Sequence, residues 1–231
     1  MSKPLPPPLP PETRTVGQLV AETLKLYGDH LWTSLALGLS VTLINQVTAG
    51  HETRFQVLVL AAAAPLMAAS FVGASAIVGG VRPSAGDAAR AIVVGAIVFV
   101  PAAFLTLVYV LPAVAWLALV GLVVPVLVIE RLSVTDALRR AVELARADYV
   151  HAVASLATLV ILFGLVKLTL TLLLRDLGDA GERAALGLGD LVISPLLFLG
   201  SALLYFDQAA RVSSSNSRNR SAGGVNGTSR A

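Results

Sequence analysis

Long uncharged runs separated by short charged connectors set the pattern of this chain. Leu31–Gly50, Phe55–Val81 and Ala91–Ile129 carry no charge, while Tyr149–Leu174 carries only Lys167 and Leu186–Phe206 only Asp190. A helix crosses the hydrocarbon of a bilayer in about 20 residues. The run Ala91–Ile129 has 39 residues, and as one straight helix it would measure about 58 Å. That is roughly twice the hydrocarbon thickness, so a turn belongs near Tyr109–Pro112. The pattern therefore predicts an all-α fold, a polytopic transmembrane bundle of about six spans. They fall at 31–50, 55–80, 91–109, 112–129, 149–174 and 187–206.

The connectors test this count. With the N-terminus inside, the inner segments hold Lys3, Arg14, Lys25, Arg82, Arg90, Arg131, Arg139, Arg140, Arg146, Arg211, Arg218, Arg220 and Arg230. The outer segments hold Arg54, Arg175 and Arg183. Basic residues concentrate on the cytoplasmic side of membrane proteins, so the expected placement is multi-pass in the plasma membrane with both termini cytoplasmic. Five spans would put the arginines of 131–146 outside.

Three connectors begin alike, with Thr15-Val-Gly-Gln18, Ser84-Ala-Gly-Asp87 and Ser133-Val-Thr-Asp136. Each offers a hydroxyl N-cap and an acceptor side chain three residues on; Gln18 has the reach a capping box requires, and the shorter Asp gives a weaker version. Each precedes two spans, which suggests three cytoplasmic interfacial helices, each followed by a helical hairpin. The third is the clearest. Val134, Leu138, Ala141, Val142 and Ala145 form one stripe, and Asp136, Arg139, Arg140, Glu143 and Arg146 oppose it. Asp136 and Arg140 have the favourable acid-first i,i+4 order, and such a helix suits a membrane surface. In the first connector Val16, Leu19, Val20, Leu24 and Tyr27 oppose Gln18, Glu22, Lys25 and Asp29.

Composition agrees with the pattern. The chain has 231 residues, 56% of them hydrophobic and 13% charged, with mean hydropathy +0.80. Soluble domains carry about 25% charged residues, so the surplus apolar surface needs lipid. The absence of cysteine removes disulfides, thiolate metal sites and cysteine nucleophiles. Pro4, Pro6, Pro7, Pro8, Pro10 and Pro11 forbid the apolar helix of a signal peptide, so residues 1–14 are expected to be a disordered proline-rich leader. Residues 15–207 form the membrane domain. Residues 208–231, rich in Ser, Asn, Gly and Arg, are expected to be a disordered basic tail. The sequon at Asn226-Gly-Thr228 lies on that inner tail and is read as chance.

Chemistry is sparse. His30, His51 and His151 fall at three separate span ends, where they do not cluster as metal ligands must. No phosphate-binding loop and no nucleophile elbow occurs, so no catalytic, cofactor or metal site is expected. Gly73, Gly79 and Gly80, with Ala69, Ser70, Ala74 and Ser75, make a small-residue face suited to close helix packing. Pro65, Pro101, Pro125 and Pro195 within spans suggest kinks, and Pro112 sits at the expected turn. Lys167 costs roughly 2.5–3.5 kcal/mol at a span centre, against roughly −5 to −9 kcal/mol from fifteen large apolar neighbours. Its amine either reaches along the helix toward the interface or pairs inside the bundle, with Asn45, Gln46 and Asp190 as partners on hand. Arg139, Arg140 and Arg146 join Lys167 as functional candidates.

Three stretches carry a family resemblance: Thr15-Val-Gly-Gln-Leu-Val-Ala-Glu-Thr-Leu-Lys-Leu-Tyr27; Pro125-Val-Leu-Val-Ile-Glu130 running into Ser133-Val-Thr-Asp-Ala-Leu-Arg-Arg-Ala-Val-Glu-Leu-Ala-Arg146; and Leu204-Tyr-Phe-Asp207. Over residues 15–207 the chain resembles the membrane domain associated with glycerophosphoryl diester phosphodiesterases and its stand-alone bacterial relatives of unknown function. Some relatives carry a soluble phosphodiesterase barrel. Here 24 residues follow Asp207, too few for a barrel, and the barrel's paired acidic ligands and histidines are absent. Gln208-Ala-Ala-Arg211 also replaces the shorter link to arginine of the family pattern. The expectation is a non-enzymatic scaffold, partner-binding or lipid-organising protein. Its partners are the lipid bilayer and a membrane protein or second copy, with nothing pointing to nucleic acid. The alternative is a small-solute transporter or channel.

Overall fold

The computed structural model describes residues 11–175 and 178–225, with the backbone alone for Glu12, Asp179 and 215–225. The first ten residues of the leader and residues 226–231, which hold the sequon, lie outside the described residues. A 3-10 turn, Pro11–Thr13, precedes α1 (Val16–Asp29), and α2 (Leu31–Thr48) follows across a break at His30. α3 (Thr53–Ala62) and α4 (Ala64–Gly79) meet at a bend of 55°. Then come α5 (Ala85–Leu105), α6 (Val110–Val120), α7 (Val123–Ile129) and α8 (Val134–Ala147). α9 (Tyr149–Leu174), α10 (Gly178–Ile193) and α11 (Pro195–Val225) complete the described chain, which contains no strand.

Five stretches among the described residues are long and apolar enough to cross a membrane: Leu31–Thr48, Ala85–Leu105, Val110–Ile129, Tyr149–Leu174 and Ala180–Ser214. The bent α3–α4 pair makes a sixth. Leu43, Leu58, Ile97, Leu165 and Leu173 are all exposed. In α9 the buried positions are Ala152, Ser155 and Leu159. A contiguous apolar exterior of this kind calls for lipid.

Prolines mostly begin helices here rather than kink them. The turn after α5 occupies Thr106–Tyr109, and Pro112 sits in the first turn of α6, where a missing N–H costs nothing. Pro65 and Pro195 likewise open α4 and α11, and Pro101 alone lies deep inside a helix, α5. Gly80 ends α4 at φ +60°, the left-handed cap that glycine reaches without strain.

α4 is central, packing against α2, α5, α7 and α11. Its small-residue face lets them come close, as the sequence suggests. Ser70 Oγ donates to Ser40 Oγ at 2.8 Å. A Cβ on Gly73 would lie 2.8 Å from Leu37 Cδ2, and one on Gly95 of α5 would lie 2.8 Å from Ala68 Cβ. α2 and α10 approach closely at Gly38, where an added Cβ would collide with the carbonyl oxygen of Leu191.

Several expectations need correction. The second connector is not a separate interfacial helix, because α5 runs unbroken from Ala85 to Leu105 and nothing at Arg90–Ala91 interrupts it. α1 and α8 are separate, ended by the non-helical backbone of His30 and Asp148. α1 buries Leu19, Thr23 and Tyr27 and packs along α11 and α9, leaving Leu24 exposed. The sixth span begins earlier than residue 187, at α10, and breaks at Ser194 before Pro195. Both outer boundaries of the membrane domain also move. Arg14 is buried, and so are Gln208 and Val212, so the fold includes the end of the leader and the start of the tail. The tail backbone is helical through Val225, since Gln208-Ala-Ala-Arg211 favours helix and Gln208 and Val212 face the bundle.

Two glycine substitutions separate packing from propensity. Gly38→Val should force α2 off α10 and lower stability by about 1–3 kcal/mol or more, read as a lower thermal unfolding midpoint in detergent. Gly164→Ala, with open space around its Cβ, should leave that midpoint unchanged or raise it.

Candidate functional site

Three polar sites interrupt the apolar bundle. The first is the surface of α8. Ser133 caps it, accepting from Asp136 N at 3.3 Å and donating to Asp136 Oδ2 at 2.6 Å. Ser84 and Asp87 repeat this arrangement on α5. Only Thr15–Gln18 completes the reciprocal box, because the Gln18 side chain reaches back to the Thr15 N–H. Asp136 is thus engaged by its cap and does not pair with Arg140. That arginine turns instead to Glu143, at 3.0 Å, and to Glu130, at 3.5 Å. Burial opposes its charge, but Glu143 and Glu130 outweigh that and hold the guanidinium above its ordinary pKa.

The buried stripe of α8 is Ala137, Ala141, Leu144 and Ala145, rotated from the expected one. Small alanines let the helix sit tightly on α6 and α7. Val134 and Leu138 are left exposed. Arg139 and Arg146 are exposed and have no hydrogen-bond or ion-pair partner among the described residues. With Leu138 and Val142 they line an open groove of about 570 Å³.

The second site surrounds Lys167. Its Nζ lies 2.8 and 2.9 Å from the two carboxylate oxygens of Asp190 on α10. Asn45 Nδ2 of α2 donates to the same carboxylate at 2.8 Å, and Gln46 Nε2 donates to the carbonyl of Arg183 at 2.9 Å. Of the partners named from the sequence, Asp190 pairs with the lysine directly, Asn45 joins through the same carboxylate, and Gln46 bonds elsewhere; the lysine pairs within the bundle rather than reaching for the interface. Asp190 is 1% exposed, and such a buried carboxylate requires a counter-charge.

The third site was not singled out from the sequence. Arg14 forms ion pairs with Asp207 and, at 2.7 Å, with Glu22. Arg211 reaches Asp148 Oδ2 at 2.6 Å and the Arg14 carbonyl at 3.3 Å. Tyr205 donates to Glu130 at 2.6 Å, and Gln208 donates to the Asp148 carbonyl at 3.2 Å. This network ties α1, α7, α9 and α11 together at the end where α8 sits. Its sequence signal was slight: Asp148 and Asp207 each border an apolar run, and Arg14 precedes a helix cap.

The histidines are dispersed. His30 lies at the α1–α2 break, His51 stacks on Phe55 with centroids 4.4 Å apart, and His151 lies beside Asp148. A central cavity of about 140 Å³ is lined by apolar side chains including Phe71, Phe99, Leu117 and Phe198, with Ser201 the polar exception. Comparison with protein-family models, curated proteins and solved structures finds no match to this chain.

Removing one partner of a buried ion pair leaves the other charge uncompensated, at a cost of about 3–5 kcal/mol. Asp190→Asn should show this loss in thermal unfolding, whereas Asp207→Asn should lose less, because Arg14 keeps Glu22 at 2.7 Å. In the double variant Lys167→Met with Asp190→Leu much of the Asp190→Asn loss should return.

Proposed function

We propose that this membrane protein acts as a non-enzymatic scaffold that gathers anionic lipid at the cytoplasmic leaflet through α8. The observation that carries this reading is the pair Arg139 and Arg146, without partners among the described residues and beside the exposed Leu138 on a helix clamped to the bundle. An amphipathic helix of this kind binds a bilayer surface by combining apolar burial with attraction to anionic headgroups. Arg140, spent on Glu130 and Glu143, positions the helix instead. The positive-inside distribution supports placing the α8 end, and with it both termini, on the cytoplasmic side of the plasma membrane. The likeness of residues 15–207 to the phosphodiesterase-associated membrane domain belongs to this proposal and names no ligand.

Transport of a small solute is the second reading, favoured by the Lys167–Asp190–Asn45 cluster. Against it stands the apolar lining of the central cavity, which offers a polar solute few partners along a path through the bundle.

Each near-surface arginine contributes about 1 kcal/mol toward an anionic leaflet. Arg139→Gln with Arg146→Gln should therefore weaken the capture of phosphatidylglycerol relative to phosphatidylcholine in mixed nanodiscs roughly thirtyfold. Equal enrichment in wild type and variant would remove the lipid role. The chain has no native cysteine, so a single cysteine at Thr135 gives a clean topology probe. It should react with a membrane-impermeant maleimide only after the cells are opened, and labelling of intact cells would reverse the orientation.

A further inference from the structure

The end of α2, the start of α3, the distal third of α9 and α10 converge on a polar pocket of about 240 Å³. Its lining includes Asn45, Gln46, Gln56, Lys167, Arg183 and Asp190. We infer that this pocket is a binding site for a small monocarboxylate anion, held between Lys167 and Arg183. The inference is independent of the α8 surface.

Charge is the first argument. Lys167 and Arg183 are positive and Asp190 is negative, so the lining carries two charges minus one, a surplus of +1. Lys167 and Asn45 both hydrogen-bond Asp190 Oδ2, and the Lys167 charge lies 2.8 Å from Oδ1, so the acid has its counter-charge inside the protein. Lys167 keeps more: an ammonium has three N–H donors, and its side chain is 28% exposed. The guanidinium of Arg183 has no partner among the described residues. The pocket therefore offers surplus donors under a net positive field, the requirements of an anion.

Construction is the second argument. Gly50 adopts φ +77°, and a side chain there would lie 3.7 Å from Arg183 Nη2. That backbone conformation suits glycine and carries the loop past the guanidinium at ordinary contact distance. A Cβ on Gly187 would collide with Gln46 Nε2; its absence lets Gln46 cross to the Arg183 carbonyl and fasten that residue's backbone. Gly187 thus lets Gln46 fix the arginine's backbone, while Asp190 holds the lysine.

Size and geometry narrow the ligand. The volume falls below the roughly 300–1,000 Å³ of drug-sized pockets and equals the liquid share of about eight waters. The planar guanidinium fork matches a carboxylate in bidentate fashion. One negative charge on the ligand balances the surplus of the lining.

Acetate is the probe, titrated by calorimetry into the full chain in nanodiscs against chloride at matched ionic strength. Wild type should bind acetate saturably and gain thermal stability from it. Arg183 is exposed, so Arg183→Gln should keep the wild-type unfolding midpoint without ligand and bind acetate at least about tenfold more weakly, the lower end of what one charge-assisted hydrogen bond contributes. Arg139→Gln with Arg146→Gln should bind acetate as wild type does. Equal acetate affinity in Arg183→Gln, or no saturable binding by wild type, would overturn the site. Phosphate binding more tightly than acetate would overturn its assignment to monocarboxylates.

Discussion

A charge inside an apolar bundle survives only when an opposite charge and hydrogen bonds replace the water it has lost. That constraint organises this molecule. Lys167 and Asp190, on neighbouring helices, are each costly alone, and together with Asn45 they lock α9, α10 and α2 into one register. Arg14 and Asp207 do the same for α1 and α11. Apolar contact between greasy helices is nearly as good with lipid as with protein, so it leaves register weakly defined. Ion pairs cannot slide by a residue without exposing both charges.

Close packing is the second device. Where lipid competes for every apolar face, helices hold together by approaching closely enough to gain dispersion contacts over a wide area. Gly38 against Leu191, Gly73 against Leu37 and Gly95 against Ala68 are such approaches. They join the polar Ser40–Ser70 contact on the faces that surround α4. Helix starts at Pro65, Pro112 and Pro195 then bend the chain where α3–α4, α5–α6 and α10–α11 need new directions.

The two proposed sites share a logic with opposite outcomes. On α8, Arg140 is consumed by acids of the protein, while Arg139 and Arg146 are left to the surroundings. In the pocket, Lys167 pairs with Asp190 with donors to spare, while Arg183 has no partner among the described residues. In each case an internal pair fixes the scaffold, and an arginine next to it that has no partner among the described residues is proposed to take the anion.

The sequence alone determined the membrane-spanning helical character. Spans of lipid-compatible length follow from one-dimensional arithmetic, because a helix satisfies its own backbone and needs only enough consecutive apolar residues. The caps at Thr15, Ser84 and Ser133 were legible for the same reason, since their partners lie three residues away. Lys167 was legible as an anomaly, and its partners could be named because few polar residues shared its spans. The tertiary structure decided what depends on residues far apart in the chain. It joined Arg14 to Asp207 across 193 positions, turned α8 onto its alanine stripe, and carried the fold past Asp207 because Gln208 and Val212 find the bundle. It also set Arg183 beside Lys167. Sequence periodicity shows that a helix has faces, but which neighbour each face meets is fixed only when all the helices compete for the same volume.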